Sequence, residues 1–192
     1  MMKKFLLIAL TTFIFAKAQA QSNKAVKDLV PEKDYTESVL TLDSTINSLY
    51  AVISGEKKQK RDWALFKFLF YPEAKLIASG KNDDGKPQVK YMKPEDYIKS
   101  SGKWLVENGF FENEIHRSVD NFGTLAHVFS TYETFHSKKD ETPFMRGINS
   151  IQLFNDGKRW WIVNVYWSQE SKRNPIPQEY LPHGQQVLYN GH

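Results

Sequence analysis

Two neighbouring segments carry the side chains of acid and base chemistry. Glu114 and His116 alternate along the run Phe111 to Val119, and Tyr132 lies in the run Thr124 to Phe135 beyond the sequence DNFG. In a strand every second residue shares a face, and a hairpin sets the faces of its two strands side by side. With a three-residue loop at DNFG and Gly123 in the left-handed region, Glu114, His116 and Ser118 fall on one face with Ala126, Val128, Ser130 and Tyr132. There His116 or Glu114 supplies a base, and Tyr132 or Tyr166 a hydrogen-bond donor to a developing oxyanion. The competing expectation is a surface Glu–His pair with no chemistry, since a slip of one residue inverts the face.

A second constellation lies in DGKRWWIVNVYWSQE, Asp156 to Glu170, which holds three of the five tryptophans. Asp-Gly between two alternating runs is a strong hairpin signal, and a two-residue turn at Asp156-Gly157 fixes the pairing. One face then sets Leu153 against Trp160, Ile151 against Ile162, Asn149 against Asn164 and Gly147 against Tyr166. An apolar floor that grades into two amides, a phenol and a glycine has the composition of a ligand pocket. The same amides bonding each other in a filled core is the alternative. The other face carries Trp161, Val163, Val165 and Trp167 with Gln152, Ser150 and Arg146, Arg146 lying over Trp167 as a cation–π pair. Apolar groups flanked by polar ones suit either a homodimer interface or a cover made by the C-terminal tail.

Other chemistries find little support. The histidines at 116, 127, 136, 183 and 192 lack ligand spacing, and HExxH, GxSxG and a glycine-rich phosphate loop are missing from the sequence. Asp83 and Asp84 sit in the polar stretch GKNDDGKP without further oxygen ligands at calcium-loop spacing, so a solvated turn is expected there. Neither a metal nor a cofactor is expected. The chain contains no cysteine, which removes disulfides, thiolate ligands and cysteine nucleophiles.

The elements that must position these groups occupy the middle of the chain. Residues 1–20 open with Lys3 and Lys4, then carry an apolar run from Phe5 to Ala16 and Ala18-Gln19-Ala20, the pattern of a cleaved secretory signal. Export to the periplasm or the exterior is therefore expected, with no membrane attachment after cleavage. Losing that segment removes three lysines and no acid, taking the net charge from +4 to +1. So nearly neutral a chain has no global field for nucleic acid. Residues 21–38 read as a leader, 39–170 as one domain and 171–192 as a proline-containing extended tail.

Within the domain, Leu42, Ile46, Leu49 and Ile53 follow helical spacing up to Gly55. After a basic connector, Lys57 to Arg61, expected to be solvated, Asp62 caps a second helix that ends at Pro72. Ala74–Ser79 and Gln88–Met92 form a strand pair, and a third helix runs from Pro94 to Asn108-Gly109. Four long strands follow.

The order helix, helix, hairpin, helix, four strands resembles the nuclear transport factor 2-like superfamily. RDWALFKFLFYPEAKLI resembles its passage from second helix to first strand, and DGKRWWIVNVYWSQE resembles the closing strand of SnoaL-like members. The resemblance implies an α+β fold, a cone-shaped curved antiparallel sheet on about three N-terminal helices, also described as cystatin-like. It implies a cavity lined by Trp160, Ile162, Asn164, Tyr166 and Ser168, with Asn164 and Tyr166 standing where members have histidines. Members include cyclases, dehydratases, isomerases, epoxide hydrolases and binding modules. The expected function is a small-ligand binding protein, with a cofactor-independent lyase or isomerase, or a dimeric interaction module, as the alternatives.

Overall fold

The computed structural model describes residues 33–185, so the expected signal segment and most of the leader lie outside the described residues. A short 3-10 turn, Thr36–Val39, precedes helix α1, Leu42–Ile53. Thr41 opens α1 because its hydroxyl accepts from the Ser44 amide at 2.9 Å while the Ser44 hydroxyl accepts from the Thr41 amide at 3.1 Å. Of the spaced residues read from the sequence, Ile46, Leu49 and Ile53 are buried in α1 and Leu42 is half-buried, with Thr45, Tyr50 and Val52 buried beside them.

Helix α2 spans Trp63–Leu69, with the Asp62 carboxylate accepting from the Leu65 amide at 3.0 Å. It is shorter than expected, because the chain turns extended at Phe70 and strand β1, Phe70–Lys81, runs through Pro72. The proline is tolerated where the pairing of β1 with its neighbour shifts, between Phe70 and Lys75. Strand β2 is Pro87–Met92 and helix α3 is Pro94–Asn108, closed by Gly109 at φ 74°. The last four strands are β3, Phe111–Phe122; β4, Leu125–Phe135; β5, Met145–Asn155; and β6, Trp160–Gln169.

All six strands form one sheet in the order β2-β1-β6-β5-β4-β3. Each sequential hairpin is antiparallel, whereas β1 pairs β6 in parallel, which corrects the expected all-antiparallel sheet. The three helices pack on one face, where Ile46, Phe66, Leu69, Val128, Ile151, Leu153 and Ile162 are fully buried. Each such side chain contributes about 2 kcal/mol by leaving water.

The basic connector is not wholly solvated. Arg61 is buried and donates to the carbonyls of Ile53 at 2.8 Å, Gly55 at 2.7 Å, Gln59 at 2.6 Å and Leu105 at 3.1 Å. A guanidinium has the fork of donors needed to satisfy carbonyls left over at the ends of two helices.

Residues 171–185 cover part of the outer face. Ile176 and Leu181 are buried, the Tyr180 ring meets Phe129 at 4.9 Å, and Thr131 Oγ1 donates to the Tyr180 carbonyl at 2.7 Å. The cover is fastened by Glu170, which accepts from Arg146 at 2.7 and 3.0 Å and from the Ile176 amide at 3.1 Å.

Candidate functional site

Two bulges decide which residues meet inside the cone. In the β5–β6 hairpin Asn155 pairs with Trp160 across a four-residue turn, Asp156 to Arg159, instead of the expected two-residue turn. The Asp156 carboxylate holds that turn by accepting from the Lys158 and Arg159 amides at 2.8 and 2.9 Å. Adding two residues keeps the parity, so Trp160 and Ile162 stay on the inner side and Trp161 on the outer. Pairing then shifts between Leu153↔Ile162 and Gln152↔Asn164, leaving Val163 as an extra residue. Beyond it the faces exchange: Val165 and Trp167 turn inward, and Asn164 and Tyr166 turn outward, the reverse of the expectation for all four.

In the β3–β4 hairpin Phe122 pairs with Leu125, so the loop has two residues, not three, with Gly123 at φ 58°. That places Arg117 and Val119 inside, opposite Ser130 and Val128, and sends His116 to the outer face opposite Thr131. A bulge at Ile115 restores the parity, so Glu114 faces Tyr132 on the inner side and Glu112 lies two residues before it. His116 is thus separated from Glu114 by the sheet, and its Nδ1 is buried without a partner among the described residues.

Between the helices and the sheet lies a cavity of about 230 Å³ whose walls include Leu49, Phe66, Leu76, Leu105, Val165 and Trp167. That is below the range of about 300–1,000 Å³ usual for drug-sized ligands. Trp104, exposed to 45%, and Gln169 form its rim. Its polar lining includes Glu112, Asn149, Tyr97 and Tyr132, with Ser101 of α3 beside them. Asn149 Nδ2 donates to Glu112 Oε1 at 3.1 Å and to the Tyr50 hydroxyl at 3.0 Å. Desolvation pushes the Glu112 carboxyl up to about 7, against which the Asn149 bond works in the opposite direction. Burial and the nearby Glu112 charge raise the Tyr97 and Tyr132 phenols as well, so both keep their protons. Neither phenol has a hydrogen-bond partner among the described residues.

Of the residues singled out from the sequence, Asn149 and Tyr132 line this cavity. Gly147 serves it indirectly: a Cβ there would stand 2.5 Å from the Tyr132 hydroxyl, so the missing side chain is what admits the phenol. Trp160 and Ile162 pack on the inner side but are not cavity walls. Glu114 is held by Arg117 Nε at 2.8 Å and by Ser130 Oγ, and lines with Tyr50 and Glu112 a separate groove between α1 and β3. Asn164 and Tyr166 lie across the sheet, Tyr166 lining a separate outer pocket of about 290 Å³ beneath the tail.

Of the expected interface set, Trp161 and Val163 face outward, while Val165 and Trp167 line the cavity. Arg146 is buried against Glu170 and Glu133 and does not lie over Trp167. The cation–π partner of the hairpin is Arg159, 3.5 Å from the centre of Trp161. The sequence reading missed Glu112 and Tyr97, although Glu112 shares Glu114's strand parity and Tyr97 sits in the apolar stripe of α3.

No protein-family model matches the chain, and no curated protein does. Among solved structures, a protein of unknown function with a cystatin-like fold from Nostoc punctiforme superposes with a TM-score of 0.51 at 9% identity, over 67% of this chain and 88% of that one. A chain described as the beta subunit of an aromatic-ring-hydroxylating dioxygenase from Novosphingobium aromaticivorans gives 0.51 at 10% identity, over 68% and 87%. A nuclear transport factor 2-like protein of unknown function from Silicibacter pomeroyi gives 0.47 at 14% identity, over 67% and 92%. With three helices on one face of a six-stranded mixed sheet among its described residues, the chain has an α+β, cystatin-like fold.

Proposed function

We propose that the cone cavity binds a small, mostly apolar molecule bearing one polar oxygen or nitrogen group. The observation that carries this reading is the meeting of Glu112, Asn149 and two unpartnered phenols within apolar walls. Polar groups without mutual partners are costly inside an apolar cavity unless something else satisfies them. Calorimetric titration with cyclohexanol and cyclohexanone tests the reading, with Val165→Phe as the control. A phenyl ring at position 165 fills the cavity, so binding is lost while the protein stays folded. Were the space a packed core, the same change would overpack it and unfold or strongly destabilise the protein.

A second reading, proton transfer at a carbon next to a carbonyl, is favoured by the position of the Glu112 titration near 7. A base poised near the working pH is the most effective proton acceptor, and Tyr97 or Tyr132 would stabilise the resulting oxyanion. Glu112 takes the part first expected of Glu114 or His116. The check is deuterium exchange into cyclohexanone in heavy water: catalysed exchange rises through about pH 7 and disappears in Glu112→Gln. Binding without exchange would leave the cavity as a binding site alone.

A further inference from the structure

Behind the cavity, buried side chains form one continuous hydrogen-bonded chain to the surface. Asp43 on α1 accepts from Arg117 Nη1 at 2.6 Å, and Arg117 also holds Glu114. Ser130 Oγ donates to Glu114, the Tyr50 hydroxyl lies 2.7 Å from Ser130 Oγ, and Asn149 Nδ2 lies 3.0 Å from the Tyr50 hydroxyl. Tyr50, Ser130 and Asn149 are all buried.

The direction of every bond in this chain follows from its far end. Glu114 accepts from Arg117 and from Ser130 Oγ, so the single proton of Ser130 is spent there. Ser130 can then only accept from Tyr50, and Tyr50 has no proton left for Asn149. The atom of Asn149 next to Tyr50 must therefore be the amide nitrogen, whose other proton goes to Glu112. With both protons committed, the free valence of Asn149 is its carbonyl oxygen Oδ1.

Resting on the reading of the cone as a ligand cavity, we propose that Asn149 is its specificity-determining residue, a fixed acceptor oriented by the Tyr50–Ser130–Glu114–Arg117 chain. The cavity accordingly selects neutral molecules with an O–H or N–H donor, such as alcohols, over equally sized molecules that only accept. Both kinds can take a hydrogen bond from Tyr97 or Tyr132, but only the donor satisfies Asn149 Oδ1. Carboxylic acid anions are disfavoured because Glu112 faces the same space. The groups around Glu112 that bear on its charge are Tyr50 from α1, Tyr97 from α3, Tyr132 from β4 and Glu114 on its own strand, with Arg117 and Asp43 behind.

Cyclohexanol and cyclohexanone have the same ring and differ in the donor, so their affinity ratio reads the orientation of the amide. The unsubstituted protein should prefer the alcohol about tenfold, the worth of one hydrogen bond to a buried acceptor. In Tyr50→Phe and Ser130→Ala the chain is cut and the amide can turn. At about pH 6, where Glu112 is largely protonated and no longer holds it, the preference should fall to about twofold or less. At about pH 8 the Glu112 carboxylate fixes the amide by itself and the preference should return. A purely structural role for Tyr50 and Ser130 would weaken both ligands alike at both pH values. A preference that survives at about pH 6 in both variants overturns the proposal, as does equal affinity of the two ligands for the unsubstituted protein, which leaves the cavity reading standing. Failure of both ligands to bind overturns this proposal and the cavity reading together.

Discussion

Replacing Glu112 by glutamine should make the protein more stable at alkaline pH, although it removes the ionisable group of the cavity. The Glu112 carboxyl is raised from its ordinary value of 4.5 to about 7 because desolvation in the fold disfavours its charge. Below about pH 4.5 the group is protonated in both folded and unfolded chains, so it contributes no difference. As pH rises the unfolded chain ionises first and is stabilised relative to the fold, and the loss is complete once the folded group ionises above about 7. A shift of about 2.5 units corresponds to about 3 kcal/mol at 1.36 kcal/mol per unit. Glu112 also borders a groove between α1 and β3, and solvent screening there trims the figure to about 2 kcal/mol. Glutamine keeps an oxygen for the Asn149 bond and cannot ionise. Urea unfolding of both proteins should give matching stabilities at about pH 4.5 and a gain of about 2 kcal/mol for Glu112→Gln at about pH 8.5. A variant that is equally or less stable at the higher pH would refute the desolvation argument.

Other substitutions probe the frame around the cavity. Gly147→Ala drives a methyl against the Tyr132 hydroxyl and the Ser168 carbonyl, and should cost about 1–3 kcal/mol in urea unfolding; a neutral change would show that Gly147 is not making room for the phenol. Glu170→Gln leaves Arg146, whose side chain is 3% exposed, without its main partner and should cost about 3 kcal/mol, with earlier proteolysis of the C-terminal cover. Unchanged stability and proteolysis would mean the cover is held elsewhere. Self-association through the outer face, the expectation from sequence, would now rest on Trp161 with Phe154 and Tyr71, whose rings meet edge to face. Light scattering should then show a dimer that Trp161→Glu dissociates, and a monomeric mass for the unsubstituted protein ends the idea.

Long-period patterns were legible from sequence and single-residue irregularities were not. The Asp62 cap and the proline start and glycine stop of α3 follow from residue type at helix ends, and the helix faces and the two hairpins among the last four strands follow from spacing over many residues. So does the separation of Trp160 from Trp161, because the four-residue turn preserved the parity of the two-residue one. The assignments of Asn164, Val165, Tyr166 and Trp167 reversed because Val163 is extruded. Nothing in WWIVNVYW marks which residue a bulge will drop, since a period of two carries no memory of an insertion. At β3 the loop length and the bulge at Ile115 made opposite changes, so Glu114 came out inside and His116 did not. The parallel β1–β6 pair and the Arg61 cap were hidden for another reason. The strand pair joins segments far apart in the chain, and Arg61 gathers carbonyls from the end of α1, its own connector and the distant Leu105, neither of which a periodic pattern encodes.

The most direct test of the cavity and its proton is a carbon-13 NMR titration of the Glu112 side-chain carboxyl with and without saturating cyclohexanol. A midpoint near 7 in the free protein, displaced when the alcohol is present and insensitive to it in Val165→Phe, is the predicted result. A midpoint near the ordinary 4.5, unmoved by the alcohol, would contradict it.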